Sequence, residues 1–384
     1  MVNIKKDDLK KIAASTERRA NLLRDSTAAL SSNIDPTLLW KQHIHPTTTV
    51  MRMAGPRLND KQIEGVLDFI GKCIKVLEKI LEKEVLSSEN IISAYLNEWL
   101  GDLWRYRLHF SNNKDKEAVR AAHAFYLQAS LLRSNVGRIF AELGVIAYKS
   151  KDYLEAIFFL SRARWSQRPA EEAGKLMEDL LDKVRPQKTT NQGALMRLLR
   201  KVYVKEEIDS TESLGQVFRQ HVPKPNLDIC FFISIGMISA AASVPDHTGL
   251  VLRAMSEVAA VYCEKHESIL MAFLLLEFIK KEELNSCLSL LTVEFWKSLS
   301  IALSNFVASA SVLRLPILLS GFTLLNFQGD AIISVADWHK ALASLNEDES
   351  GFMQFFVEWT TSEKSYLGQY IQLNDKNQFM CCVN

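Results

Sequence analysis

The run Leu100-Gly101-Asp102-Leu103-Trp104-Arg105-Tyr106-Arg107, read with Leu143-Gly144 further on, decides how this chain folds. Small residues recur where two helices must lie close together. A tetratricopeptide unit places Leu-Gly on its first helix and Ala-x3-aromatic-x2-Ala on its second. Leu143, Gly144, Ala156, Leu160 and Ala163 keep that spacing, with Phe140 at the position usually held by Trp. Leu100, Gly101, Ala122, Tyr126 and Ala129 repeat the theme one unit earlier, with a longer inter-helix loop at residues 111–116. Two helical hairpins follow, with Arg105-Tyr106-Arg107 late on the first helix.

Outward from these hairpins the helical period continues. Asn59 with Gln62 makes a capping box, after which Ile63, Val66, Leu67, Ile70, Ile74 and Leu77 hold one face of a helix. A helix opened by Ser87-Ser88 carries Ile91, Ile92, Tyr95, Leu96 and Trp99. Residues 7–31 read as a charged helix, and a second helix runs from Asp35-Pro36 toward Met53, bent or interrupted by Pro46. Residues 170–184 close the first half. The polar stretch 186–192 is the best boundary, giving a domain at 1–185 and another at 193–384. In the second, residues 229–244 and 298–313 are uncharged runs, the first of 16 residues. Both are short of the ~20 residues of a bilayer span and read as helices buried on all sides. Helices at 249–263, 266–279 and 284–295 lie between them, weaker ones at 337–345 and 352–360 follow, and the last residues read as a loosely packed extension. No strand-period run of useful length occurs, and Gly is only 15 of 384 residues. The fold class is therefore all-α.

Composition narrows function without naming it. The net charge of +1 provides no global field for nucleic acid or membrane, so electrostatic recognition must be local. The 6 cysteines lack any C-x2-C pair and read as reduced core thiols of a cytosolic or nuclear protein. His43-x-His45 has no partner at metal-ligand spacing, so no metal or other cofactor is expected. No catalytic motif occurs, and the acidic residues are scattered rather than clustered as a metal nuclease needs. Lys183, Arg185, Lys188, Arg197, Arg200 and Lys201 form a basic cluster that reads as a solvated face more readily than an RNA contact. The start of the chain has no apolar signal core, and the apolar stop at 379–383 reads as a cut within a longer protein.

At Gly101-Asp102-Leu103-Trp104-Arg105-Tyr106 the sequence resembles the SMG and ever-shorter-telomeres family, the adaptors of nonsense-mediated mRNA decay and their telomerase-associated relatives. The likeness continues through Phe125-Tyr126-Leu127-Gln128-Ala129, Glu142-Leu143-Gly144-Val145-Ile146-Ala147 and Glu155-Ala156-Ile157-Phe158-Phe159, with Leu39-Trp40 upstream. It covers residues 38–186; beyond that only helical character agrees. The resemblance implies a 14-3-3-like, tetratricopeptide N-terminal domain followed by stacked helical hairpins. It also implies a non-enzymatic adaptor of the cytoplasm, with the nucleus as a second location. Such an adaptor pairs with a related SMG-family protein and binds phosphorylated up-frameshift RNA helicase. Direct nucleic-acid contact is not expected.

A phosphate carries roughly −1.5 to −2 charge and is held by two or three convergent donors that include an Arg fork. Arg105 and the Tyr106 hydroxyl are the first candidates. The family's second cation, usually a Lys, is replaced here by His45; Arg52, two turns later, is a substitute. Ala141 stands where the family tends to have Asn. The phosphate site is thus thinned, and three functions stay open: a phosphopeptide adaptor, a dimerisation scaffold with a degenerate pocket, and a telomerase-associated adaptor. Among family members the pattern is nearer the fifth SMG protein than the seventh.

Overall fold

The computed structural model describes residues 36–55, 58–84, 90–111, 115–185, 191–204, 227–266, 270–282, 284–304, 371–373 and 379–381. The helices read from sequence at 7–31, 337–345 and 352–360 lie outside the described residues. The remainder is helical except for an antiparallel pair, β1 (Ile371–Leu373) and β2 (Phe379–Cys381). Packing divides the chain between Arg133 and Ser134 into two compact units.

The first unit contains α1 (Pro36–Leu39), α2 (His45–Ala54), α3 (Asp60–Glu84), α4 (Asn90–Phe110) and α5 (Lys116–Leu132). Pro46 neither ends nor breaks the helical path. It sits in the first turn of α2, and Trp40–Ile44 forms one widened turn before it. The His45 amide bonds to the Trp40 carbonyl five residues back. A proline ring clashes with the carbonyl four residues earlier and brings no N–H; a wider turn accommodates both defects. At the start of α3 the capping box forms reciprocally: the Gln62 amide donates to Asn59 Oδ1, and the Asn59 amide to Gln62 Oε1, both at 3.0 Å. Asp115 caps α5 through the Ala118 amide at 2.9 Å and receives Arg107 Nε at 2.9 Å. Partial burial works to raise its carboxyl, but the Ala118 amide and the Arg107 guanidinium hold it below the ordinary aspartate range.

The hairpin of α4 and α5 depends on Gly101. A Cβ there would stand 2.7 Å from the Tyr126 ring, so only hydrogen lets Tyr126 lie flat on α4. Leu100, Ala122, Tyr126 and Ala129 are all buried around it. Trp40 stacks on Trp99 with ring centroids 5.2 Å apart, and Trp99 on Tyr95 at 5.8 Å, tying the widened turn to α4.

The second unit contains α6 (Gly137–Lys149), α7 (Tyr153–Arg164), α8 (Ala173–Lys183), α9 (Asn191–Val204), α10 (Leu227–Ser243), α11 (Thr248–His266), α12 (Leu270–Lys281) and α13 (Val293–Ser304). The second repeat hairpin, α6 with α7, reuses the same device. A Cβ on Gly144 would meet the Leu160 side chain at 2.8 Å, and Phe140, Leu143, Ala156 and Ala163 are buried beside it. Gly137 is pressed harder: its amide donates to the Arg168 carbonyl at 2.8 Å, and any side chain there would strike the backbone of Ala163 and Ala170. Arg162 is fully buried over the Phe140 ring at 4.5 Å and donates to the Ser134 carbonyl at 3.2 Å. Burial pushes its guanidinium down to about 9.

Residues on both sides of the polar stretch, Arg185 and Asn191, belong to this same unit. Arg200 on α9 reaches back to the C-terminal end of α8, donating from Nε to the Leu181 carbonyl at 2.8 Å and from NH2 to that of Val184 at 2.5 Å. It satisfies two carbonyls that a helix end leaves open, so α8 and α9 pack together whatever the polarity of their link. The uncharged run becomes α10, buried on every face from Ile233 to Ala241. The helix expected at 284–295 is instead a 3-10 turn, Asn285–Leu290, followed by α13. Strand β2 lies against α13, so this part of the final stretch is packed. No helix among the described residues is long and apolar enough to cross a membrane.

Two predictions follow from this packing. Gly101→Ala overpacks the hairpin and lowers stability by about 1–3 kcal/mol. Gly65→Ala, exposed on α3 with open space around it, raises stability by about 0.5–1 kcal/mol. Urea denaturation of the two variants checks the opposite signs. Burial raises the Cys73 thiol above its usual range and that of Cys263 to about 12. Iodoacetamide at mildly alkaline pH, followed by site-resolved mass spectrometry, is expected to label half-buried Cys287 first and the other two only on unfolding.

Candidate functional site

The candidate site belongs wholly to the first unit, where α2 and α4 present their charged residues. Asp102 and Arg105 stand one turn apart on α4, a spacing that brings side chains together. Asp102 is almost completely buried, and Arg105 NH2 lies 3.2 Å from its Oδ1. The Tyr126 hydroxyl donates to the same carboxylate oxygen at 2.7 Å and accepts from Arg105 Nε at 3.1 Å. Three polar groups from two helices thus form one closed network. It costs little because each buried group finds a partner, and it fixes the direction of the Arg105 fork.

Tyr106 supplies a ring to the site. At 3% exposure it is buried, and two guanidiniums stand over it: Arg105 with Cζ 4.9 Å from the ring centroid, and Arg52 at 5.5 Å. Cations at that range are attracted to the aromatic face. The helical path through Pro46 makes this possible, because α2 remains regular from His45 to Ala54 and carries Arg52 in its last turn.

The structure therefore brings together three of the residues singled out from sequence: Arg52, Arg105 and Tyr106. His45 stands two turns earlier on α2, about 10 Å along the axis from Arg52. It is exposed, and its ring lies 5.8 Å from that of Trp40. Ala141, at the position where an Asn was noted missing, is buried in the second unit. Reading the sequence alone missed the tie from Tyr126 to Asp102. The Asp102–Arg105 half was available from helical spacing; the Tyr126 half requires knowing that Gly101 brings α5 against α4.

Arg105 is paired with the buried Asp102 carboxylate, and Arg52, over the same Tyr106 ring, is open to solvent. Such a pair suits an anion with several acceptor oxygens. Among the described residues no group of three His, Cys, Asp or Glu could hold a metal ion. Of the basic cluster noted near residues 183–201, Lys183 pairs with Asp179 at 3.3 Å, Arg185 turns back on the carbonyl of Asp182, and Arg200 is buried.

A family model described as the Est1 DNA/RNA binding domain matches residues 122–377. The match runs far beyond residue 186, where the sequence resemblance had faded. No curated protein matches the chain. Among solved structures, the crystal structure of Est1 and Cdc13 aligns with a TM-score of 0.57 at 12% identity, covering 98% of this chain and 96% of that one. The structure of the C. elegans SMG5-SMG7 complex aligns at 0.48 and 14% identity, covering 89% and 100%. At such identity the Est1 alignment speaks for the fold alone, which among the described residues is helical, as the sequence predicts, apart from the β1–β2 pair.

The network generates one prediction. Tyr126→Phe keeps the ring on Gly101 but removes a donor from the buried Asp102 carboxylate and an acceptor from Arg105. It is expected to lower stability by about 1–3 kcal/mol. Asp102→Asn together with Tyr126→Phe should cost less than the sum of the two single changes, measured as a double-mutant cycle in urea.

Proposed function

The chain belongs to the Est1 DNA/RNA binding domain family, and from that premise we propose that it is a non-enzymatic adaptor of nonsense-mediated mRNA decay. In this reading it binds a phosphoserine segment of an up-frameshift RNA helicase and pairs with a related SMG-family protein, in the cytoplasm and secondarily the nucleus. The observation that carries the reading is the convergence of Arg52 and Arg105 on the Tyr106 ring, at 5.5 and 4.9 Å. Arg105 is held in place by Asp102 and Tyr126, and Arg52 approaches from a second helix. A phosphate across the pair would receive two guanidinium forks, while a serine hydroxyl would receive little. His45 is a peripheral contributor, since its ring keeps to Trp40. The net charge of +1, which provides no global field for nucleic acid, favours protein as the partner.

A second reading is favoured by the Arg105 network itself. A guanidinium already engaged by a carboxylate and a phenol has fewer donors to offer, so the pocket is then degenerate and the chain is a dimerisation scaffold, in decay or in a telomerase-associated setting. Calorimetric titration of a phosphoserine peptide and its unphosphorylated twin separates the two. The adaptor reading expects at least roughly tenfold tighter binding of the phosphopeptide, about 1.4 kcal/mol, abolished by Arg52→Glu. Equal affinities would leave the scaffold, whose association with the SMG-family partner in sedimentation velocity must then survive that substitution.

A further inference from the structure

Between Asp35 and Asp60 the chain has no Asp or Glu, although 45 of its 384 residues are acidic. This stretch builds α1, the widened turn and α2. One face of that path packs inward, with Trp40, Ile44, Thr48 and Met51 buried. The other carries Lys41, His45 and Arg52, all exposed. Steps of four and seven residues keep side chains on one side of a helix, so the three basic groups form a row.

The helix packed beneath does not neutralise it. Trp40 stacks on Trp99 of α4, and Arg52 stands over Tyr106 of the same helix. The acidic residues of α4 are Glu98 and Asp102, both buried. Glu98 receives Arg133 at 2.6 Å, and Asp102 receives Arg105 and Tyr126. Among the described residues Lys41, His45 and Arg52 enter no ion pair.

Spacing then measures the ligand. Along the helical path His45 lies about 10 Å from Arg52, and Lys41 about 15 Å. An extended peptide covers those lengths in roughly three to five residues. A carboxylate suits the far end of the row. An ammonium is a compact point charge that accepts a carboxylate in any orientation, and an imidazole N–H donates to the same oxygens.

We propose that Lys41 and His45 form a second subsite, which takes an Asp or Glu about three to five residues from the phosphoserine of the bound segment. This inference rests on the phosphoserine reading of the Arg52–Arg105 pair and narrows the class of peptide it takes. It also fixes the polarity of the peptide. Helix α2 ends at Ala54, just past Arg52, so the row extends to one side only. An acidic residue is therefore read on one side of the phosphoserine and ignored on the other.

The test titrates the full chain by calorimetry with three phosphoserine peptides. One has aspartate four residues before the phosphoserine, one has it four residues after, and one has alanine at both places. One aspartate peptide is expected to bind about two- to fivefold tighter than the alanine peptide, the range of an exposed ion pair. The gain should shrink at high salt. Lys41→Glu should erase it and Lys41→Arg should keep it, both at the wild-type thermal midpoint. Neither should change the affinity of the alanine peptide, since about 15 Å exceeds the ~8 Å screening length at physiological salt. The subsite alone is overturned if the phosphopeptides bind but aspartate adds nothing, or adds equally on both sides. It is likewise overturned if the gain survives Lys41→Glu, or if that change weakens all three peptides alike. An alanine phosphopeptide that binds no better than its unphosphorylated twin overturns the phosphoserine reading, and the subsite with it.

Discussion

The contact on which the first unit depends is that of the Tyr126 ring with the bare backbone of Gly101. It sets the separation of α4 and α5, because no other residue allows an aromatic face to lie within van der Waals reach of the helix. It also delivers a phenolic hydroxyl to a buried carboxylate on the next residue, Asp102. That carboxylate in turn holds Arg105. Packing and chemistry are therefore one arrangement: the residue that lets the helices meet also decides where a guanidinium points.

The second unit repeats the packing half of this arrangement without the chemical half. Gly144 admits Leu160 where Gly101 admits Tyr126. Leucine brings no hydroxyl, and the residue after Gly144 is Val145 rather than an aspartate. The same backbone solution therefore carries apolar packing in one hairpin and a polar network in the other.

Much of this was legible in the sequence because it is local or periodic. The Asn59–Gln62 capping box, the small-residue spacing of both hairpins and the uncharged run that becomes α10 are short-range patterns with direct physical readings. Pro46 misled because its cost was counted and the remedy was not; one widened turn absorbs it and carries Arg52 onward. The polar stretch near residue 190 reads as a boundary, whereas packing divides the described residues between Arg133 and Ser134. Polarity marks solvent exposure, but Arg200 binding the end of α8 is a contact between helices that composition cannot reveal. The Tyr126–Asp102 bond and the pairing of Arg52 with Tyr106 are tertiary, and required α2, α4 and α5 to be placed first.

The claim most in need of a direct look is that Arg105, fixed through Gly101 and Tyr126, acts with Arg52 on one anion. Nitrogen-15 spectra of the arginine Nε–H groups answer it during a titration with a phosphoserine peptide. The account predicts a slowly exchanging Arg105 signal before any peptide is added, and a joint shift of Arg52 and Arg105 along one saturation curve. An Arg105 signal averaged by solvent exchange at the outset, or shifts confined to other arginines, would contradict it.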